Sequence, residues 1–138
     1  MENKKARSFV TIMIVIGLFA FLLRFLIEGV IKINISQNES NASVTLKLIS
    51  AALENYADEK SGMYPESLSF LTKANPPYLD KDYISESPIK GYYYTCSRLE
   101  PTGYSCSASP LKCGLSGKLN FTVTTGGVLV SETCERKG

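Results

Sequence analysis

The sequence predicts an α+β chain in which a long N-terminal helix, membrane-spanning in its first half, packs on a small antiparallel β-sheet. Three observations carry this. Residues 9–56 keep a helical apolar pattern, greasy all round at the start and two-faced toward the end. From residue 91 onward the pattern changes to short alternating stretches divided by Pro- and Gly-containing turns. All four cysteines, at positions 96, 106, 113 and 134, fall in that second region. A chain of 138 residues has room for one small domain plus an anchor, not for two domains. If 9–56 is one helix, it is roughly 70 Å long at the usual rise per residue. What remains of the chain cannot cover a rod of that length, so its first half must be solvated by lipid or by other copies.

Residues 1–8 form a short basic leader. Removing Glu2, Lys4, Lys5 and Arg7 from the 15 basic and 13 acidic side chains leaves twelve of each, so the net charge of +2 resides in the leader. Basic residues beside an apolar run hold the N-terminus in the cytoplasm, which places the domain outside. Residues 9–23 run apolar without interruption over about 22 Å, short for a span. A transmembrane segment of 9–33 therefore takes in Arg24, Glu28 and Lys32. Arg24 and Glu28 are one helical turn apart, so they can pair on one face and reach water at the outer interface; an intersubunit pair that sets helix register is the alternative. A cleaved secretory signal is the rival for the whole segment. The absence of an Ala-x-Ala-type site and the continuing helical pattern argue against it.

The amphipathic continuation, 34–60, carries two apolar stripes. Ile31, Ile35, Ala42, Leu46, Ile49, Leu53 and Tyr56 share one face, while Ile33, Val44, Leu48 and Ala51 lie nearly opposite. Two faces need two partners: the chain's own sheet, and either more of the same domain or a neighbouring subunit. Asn38 interrupts the first stripe, and the Asn/Ser-rich patch around it is a poor helix former. Ser61-Gly62 ends the helix, with Gly in the left-handed cap.

The remainder, 61–138, reads as the sheet domain. A short helix over 66–71 turns Leu68 and Leu71 inward, and the NPPYL run at 75–79 excludes regular structure. Strands are expected over 91–98, 103–108, 118–124 and 128–133, in two hairpins turned at 100–103 and 126–127. Leu119, Phe121 and Val123 alternate with Lys118, Asn120 and Thr122, as in a sheet buried on one face. Tyr92 and Tyr94 share a face by the same alternation, and read as core.

An even cysteine count beyond a hydrophobic segment reads as two disulfides in an oxidising compartment. A zinc site would need a close Cys pair, whereas the gaps hold 9, 6 and 20 residues. Cys96 and Cys106 lie symmetrically about Pro101 and pair as facing hairpin positions, leaving Cys113 with Cys134; a crossed connectivity is the alternative. Histidine is absent, there is no Gly-x-Ser-x-Gly, and no phosphate-cradling loop is visible. No enzyme and no cofactor or metal is expected. The charge balance beyond the leader argues against nucleic acid. Asn34, Asn38, Asn41 and Asn120 head Asn-x-Ser/Thr triplets, which arise readily in Ser-rich sequence and are read as coincidence.

The stretch ALENYADEKSGMYP at 52–65 resembles the helix end of the type IV pilin and type II secretion pseudopilin superfamily. There, an Ala-Leu-x-x-Tyr run leads through Gly to Tyr-Pro. Leu68 and Leu71, the PPYL run at 76–79, GYYY at 91–94 and the late strands ending in Gly127-Val128 follow in matching order. The resemblance covers nearly the whole chain and implies a pilin-like fold. It further implies a structural subunit in the bacterial inner membrane, single-pass, with a cytoplasmic N-terminus and a periplasmic domain, extracellular once in a filament. Its implied partners are other pilin-like subunits in a homo- or hetero-filament, an inner-membrane assembly platform, a prepilin peptidase and the lipid bilayer.

The implied processing site is Ser8-Phe9, and Met13, Arg24, Glu28, Ile35, Leu46, Ile49, Leu53 and Tyr56 form the implied assembly helix. Ser8 stands where the family has Gly, and Met13 where it has the Glu that neutralises a neighbour's N-terminal amine. That pattern resembles a minor or tip subunit more than a major one; an uncleaved membrane-anchored relative also fits. Major pseudopilins bind calcium in a loop near here, but Lys81 divides Asp80 from Asp82, and with Glu86 these read as a solvated loop. The reading from another class is a binding module, a DNA-uptake or adhesive minor pilin contacting through Lys112, Lys118, Arg136 and Lys137.

Overall fold

The computed structural model describes residues 2–135. Helix α1 runs over Glu2–Glu59 and the short α2 over Ser69–Lys73, followed by strands β1 (Tyr92–Glu100), β2 (Gly103–Pro110), β3 (Leu119–Thr124) and β4 (Val128–Thr133). The architecture is α+β: a long N-terminal helix packed on a four-stranded antiparallel sheet of order β1-β2-β3-β4. The chain divides into two compact units, Met1–Asn34 and Ile35–Gly138. The amphipathic continuation of α1 therefore belongs to the same unit as the sheet rather than forming a segment of its own.

In the first unit the helix continues through the basic leader instead of beginning at residue 9. No proline precedes Pro65, so nothing in the backbone chemistry interrupts it. Its large apolar side chains, from Phe9 to Val30, are exposed on every side. α1 contains the one segment among the described residues that is long and apolar enough to cross a membrane.

In the second unit, α1 lays Ala42, Leu46, Ile49, Ala52 and Leu53 on the sheet. They meet Tyr92, Tyr94, Tyr104, Cys106, Ala108, Phe121 and Val123, all from the same face of β1–β3, while Leu68, Leu71, Leu79 and Tyr83 from the connection close the cluster. Removing one such leucine from water contributes about 1.5–3 kcal/mol. The Tyr92/Tyr94 alternation holds: both are buried, and Tyr93 between them is exposed.

α1 ends by a left-handed reversal. The Gly62 amide donates to the Ala57 carbonyl at 2.7 Å, and the positive φ falls on both Ser61 (59°) and Gly62 (81°). The six-to-one closure makes Ser61, not Gly62, the residue just past the cap, because the helix stops at Glu59. Leu68 and Leu71 are buried as their spacing predicts, but α2 begins later than 66–71: Ser67 closes a turn onto Ser69 first. Residues 74–90 contain no helix or strand, and the Asn75–Pro76 and Ser87–Pro88 bonds are cis.

β1 and β2 form a two-residue hairpin in which Cys96 faces Cys106, and β1 bulges between Cys96 and Arg98. β1 runs on to Glu100, beyond the predicted end, because Leu99 and Glu100 pair with Tyr104 and Gly103. Both disulfides are present, Cys96–Cys106 and Cys113–Cys134. The second ties the segment after β2 to the end of β4, where the Cys134 amide also donates to the Lys118 carbonyl at 2.8 Å.

Gly117 sits where a Cβ would run into the ring and hydroxyl of Tyr92, whose hydroxyl donates to the Leu119 carbonyl at 2.8 Å. Substituting Gly117→Ala should displace a fully buried tyrosine and cost about 1–3 kcal/mol. Thermal unfolding followed by near-UV circular dichroism checks it. Gly126→Ala meets no atom, so it isolates the cost of a positive φ from that of a clash.

Candidate assembly surface

α1 has two faces within the second unit, and they are spent differently. Ile35, Leu46, Ile49 and Leu53 are buried within the chain. Tyr56 is half-buried, edge-to-face with Tyr78 at 5.6 Å, with the Lys60 ammonium 6.0 Å from its ring centre. The stripe expected to serve assembly is thus largely consumed by the chain's own core. Val44, Leu48 and Ala51, on the opposite stripe, are exposed. The arrangement in which one domain wraps both faces does not occur, because the sheet covers only one side of the helix.

Polar side chains missed by the apolar pattern pin the helix. Glu54 is the main acceptor: its carboxylate takes hydrogen bonds from the Tyr104 hydroxyl (2.7 Å), the Tyr64 hydroxyl (3.0 Å) and the Gly126 amide (2.8 Å). Ser50, a buried polar residue one turn earlier, bonds the Tyr104 hydroxyl at 2.8 Å, and Tyr64 stacks edge-on against Tyr104 at 5.2 Å. At the other end, Glu39 accepts the Lys118 amide at 2.7 Å, and Asn38 donates its side-chain amide to the Ser116 carbonyl at 2.9 Å. Asn38 interrupts the apolar stripe because its place faces a backbone carbonyl, not an apolar surface. A sequence signal existed: each of these residues falls on or beside the inward stripe, where a polar side chain needs a partner.

In the first unit, Ser8, Phe9 and Met13 are exposed inside unbroken helix. Arg24 Nε lies 3.6 Å from Glu28 Oε1, an i,i+4 pair within one chain.

The remaining sequence candidates are scattered. Asp80 accepts the Tyr83 hydroxyl at 2.9 Å, Asp82 caps the amides of Ile84 and Ser85 at 3.0 and 3.2 Å, and Glu86 lies 3.5 Å from Lys81. These carboxylates serve local turns, and no group of three or more metal-type ligands gathers among the described residues. Lys112 and Lys118 are exposed, while Arg136 and Lys137 lie outside the described residues.

Burial, above all, pushes the hydroxyls of Tyr83, Tyr92 and Tyr104 up to about 12, with Asp80, Glu39 and Glu54 as the respective carboxylates adding to it. At Tyr104 the hydrogen bond with Ser50 acts in the opposite sense.

No family model, curated protein or solved structure matches this chain.

Two measurements bear on this geometry. Replacing Glu54 by Ala removes the acceptor for two tyrosines and an amide, and should lower stability by about 1–3 kcal/mol in thermal or urea unfolding. On the alkaline side, the three shifted tyrosines stay neutral in the folded protein after their unfolded counterparts begin to ionise near 10. Their contribution is complete below pH 10 and is lost as pH rises toward about 12. Tyrosinate absorbance should therefore rise late in the folded protein, with stability falling over the same window.

Proposed function

We propose that this chain is a structural subunit, of minor or tip type, of a type IV pilus or type II secretion pseudopilus. In this reading it is anchored in the bacterial inner membrane with its domain outside, and it works by assembly rather than catalysis. The observation that carries the reading is the surplus of apolar surface on α1. The helix is exposed on all sides over the greater part of the first unit, and on a complete face in the second. Lipid covers such a surface before assembly, and neighbouring helices cover it afterwards.

The basic leader supports an inward N-terminus by the positive-inside rule. The disulfides support an oxidising compartment for the domain. The order of parts, from the ALENYADEKSGMYP helix end to the late strand pair, supports the family. In the mature subunit Phe9 would be the first residue, and Arg24 and Glu28 would neutralise each other near the outer interface. Met13 removes the acidic contact by which an arriving subunit is recruited to an earlier one, which suits a subunit that starts a filament.

Mass spectrometry of the protein from native membranes tests the reading. A mature N-terminus at Phe9, free or methylated, is expected; an intact Met1 leader overturns the filament role. Full-length protein should require detergent, and a soluble monomer without it would overturn the anchor as well.

A further inference from the structure

Two surfaces of the second unit are left open among the described residues and complement each other. One is a ridge on α1. Val44 and Leu48 are 52% and 50% exposed and stand one turn apart, about 6 Å along the axis. Lys47 lies on the same face and Ala51 extends it. Glu39 and Glu54 face the sheet through the hydrogen bonds described above, so Lys47 is the one exposed charge between residues 35 and 57. It takes part in none of the ion pairs formed among the described residues.

The other surface is an open groove of about 910 Å³ between the segment following β2 and the end of β4. Leu111 and Leu115, 45% and 49% exposed, form its apolar part, with Glu132, Glu135 and Lys112 as its charged residues among those described. The groove is a fixed shape. The Cys113–Cys134 disulfide crosses it, and the Gly114 amide bonds the Gly117 carbonyl at 2.8 Å. Among the described residues it offers apolar contact and the carboxylates of Glu132 and Glu135; the ridge offers apolar contact and the Lys47 ammonium.

We infer that the Val44–Lys47–Leu48 ridge of one copy seats in the Leu111/Leu115/Glu132 groove of the next, with Lys47 against Glu132. Ridge and groove are different patches of the same chain, so the contact is head-to-tail and does not close a two-fold pair. Anchoring both copies in one bilayer raises their effective concentration, which lets a contact of modest area hold. Aligned charges fix the register more than they add affinity. The inference rests on the assembly reading and specifies its contact outside the membrane.

The test uses full-length protein, natural-abundance and heavy-nitrogen copies mixed in phosphatidylcholine–phosphatidylglycerol vesicles and coupled with a zero-length carbodiimide. A mixed-isotope peptide joining Lys47 to Glu132 is expected. Lys47→Glu and Glu132→Lys should each abolish the coupled dimer, and the two together should restore it; both positions are exposed, so neither change threatens the core. Suppose differently tagged copies co-purify, but the Lys47–Glu132 product is absent and the single reversals change nothing. The contact is then overturned and assembly stands. Absence of any association between full-length copies overturns the contact and self-assembly alike; the filament reading then stands or falls on the mature N-terminus at Phe9.

Discussion

A four-stranded meander has one apolar face, and something must cover it. In this protein that cover is the part of α1 that lies in the second unit. Every other feature of the second unit follows from that pairing. The helix is amphipathic because it must present Leu46, Ile49 and Leu53 to the sheet, and it ends at Glu59, ahead of the left-handed reversal at Ser61 and Gly62. The connection through α2 then returns the chain along the same cluster, adding Leu68, Leu71 and Leu79 at its margin. A core this small is reinforced covalently at two places, one inside a hairpin and one across the chain's last strand.

Hydrophobic contact is non-directional, so it does not by itself decide where along the sheet the helix sits. Hydrogen bonds supply that register. Glu54 and Ser50 hold one end against Tyr104 and the β3–β4 turn, and Asn38 and Glu39 hold the other against residues 116–118. Among the described residues no buried side-chain polar atom is left without a partner, so these pins add direction without an unmet desolvation cost. The paired tyrosine hydroxyls explain why the sheet can afford so many aromatics: each ring fills core volume while its oxygen finds a carboxylate, hydroxyl or carbonyl at the margin.

The same helix that satisfies the sheet leaves much of its own apolar surface unsatisfied. Val44 and Leu48 remain open in the second unit, and the large apolar side chains of the first unit, from Phe9 to Val30, are exposed. A soluble monomer seldom carries such continuous apolar surface. That surplus, rather than any cavity or reactive side chain, is what a functional account of this protein has to explain, and assembly in and beside a bilayer is the account proposed.

Periodicity alone determined the main parts: a helix with two apolar stripes, alternating strands with Tyr92 and Tyr94 on one face, and inward leucines at 68 and 71. These are legible because burial on one side of a regular element imposes a fixed repeat on neighbouring residues. The pairing of Cys96 with Cys106 was legible for a similar reason, since a short hairpin brings symmetric positions together. Tertiary structure decided what local pattern cannot encode. It chose which stripe the sheet would cover, committing Ile35, Leu46, Ile49 and Leu53 inward and leaving Val44 and Leu48 open. It gave Glu54, Asn38 and Glu39 partners many residues away, and it extended the left-handed reversal at Gly62 to Ser61 as well. The physical reason is that a repeat reports only that a face is buried, while the identity of what buries it depends on contacts between segments distant in the chain.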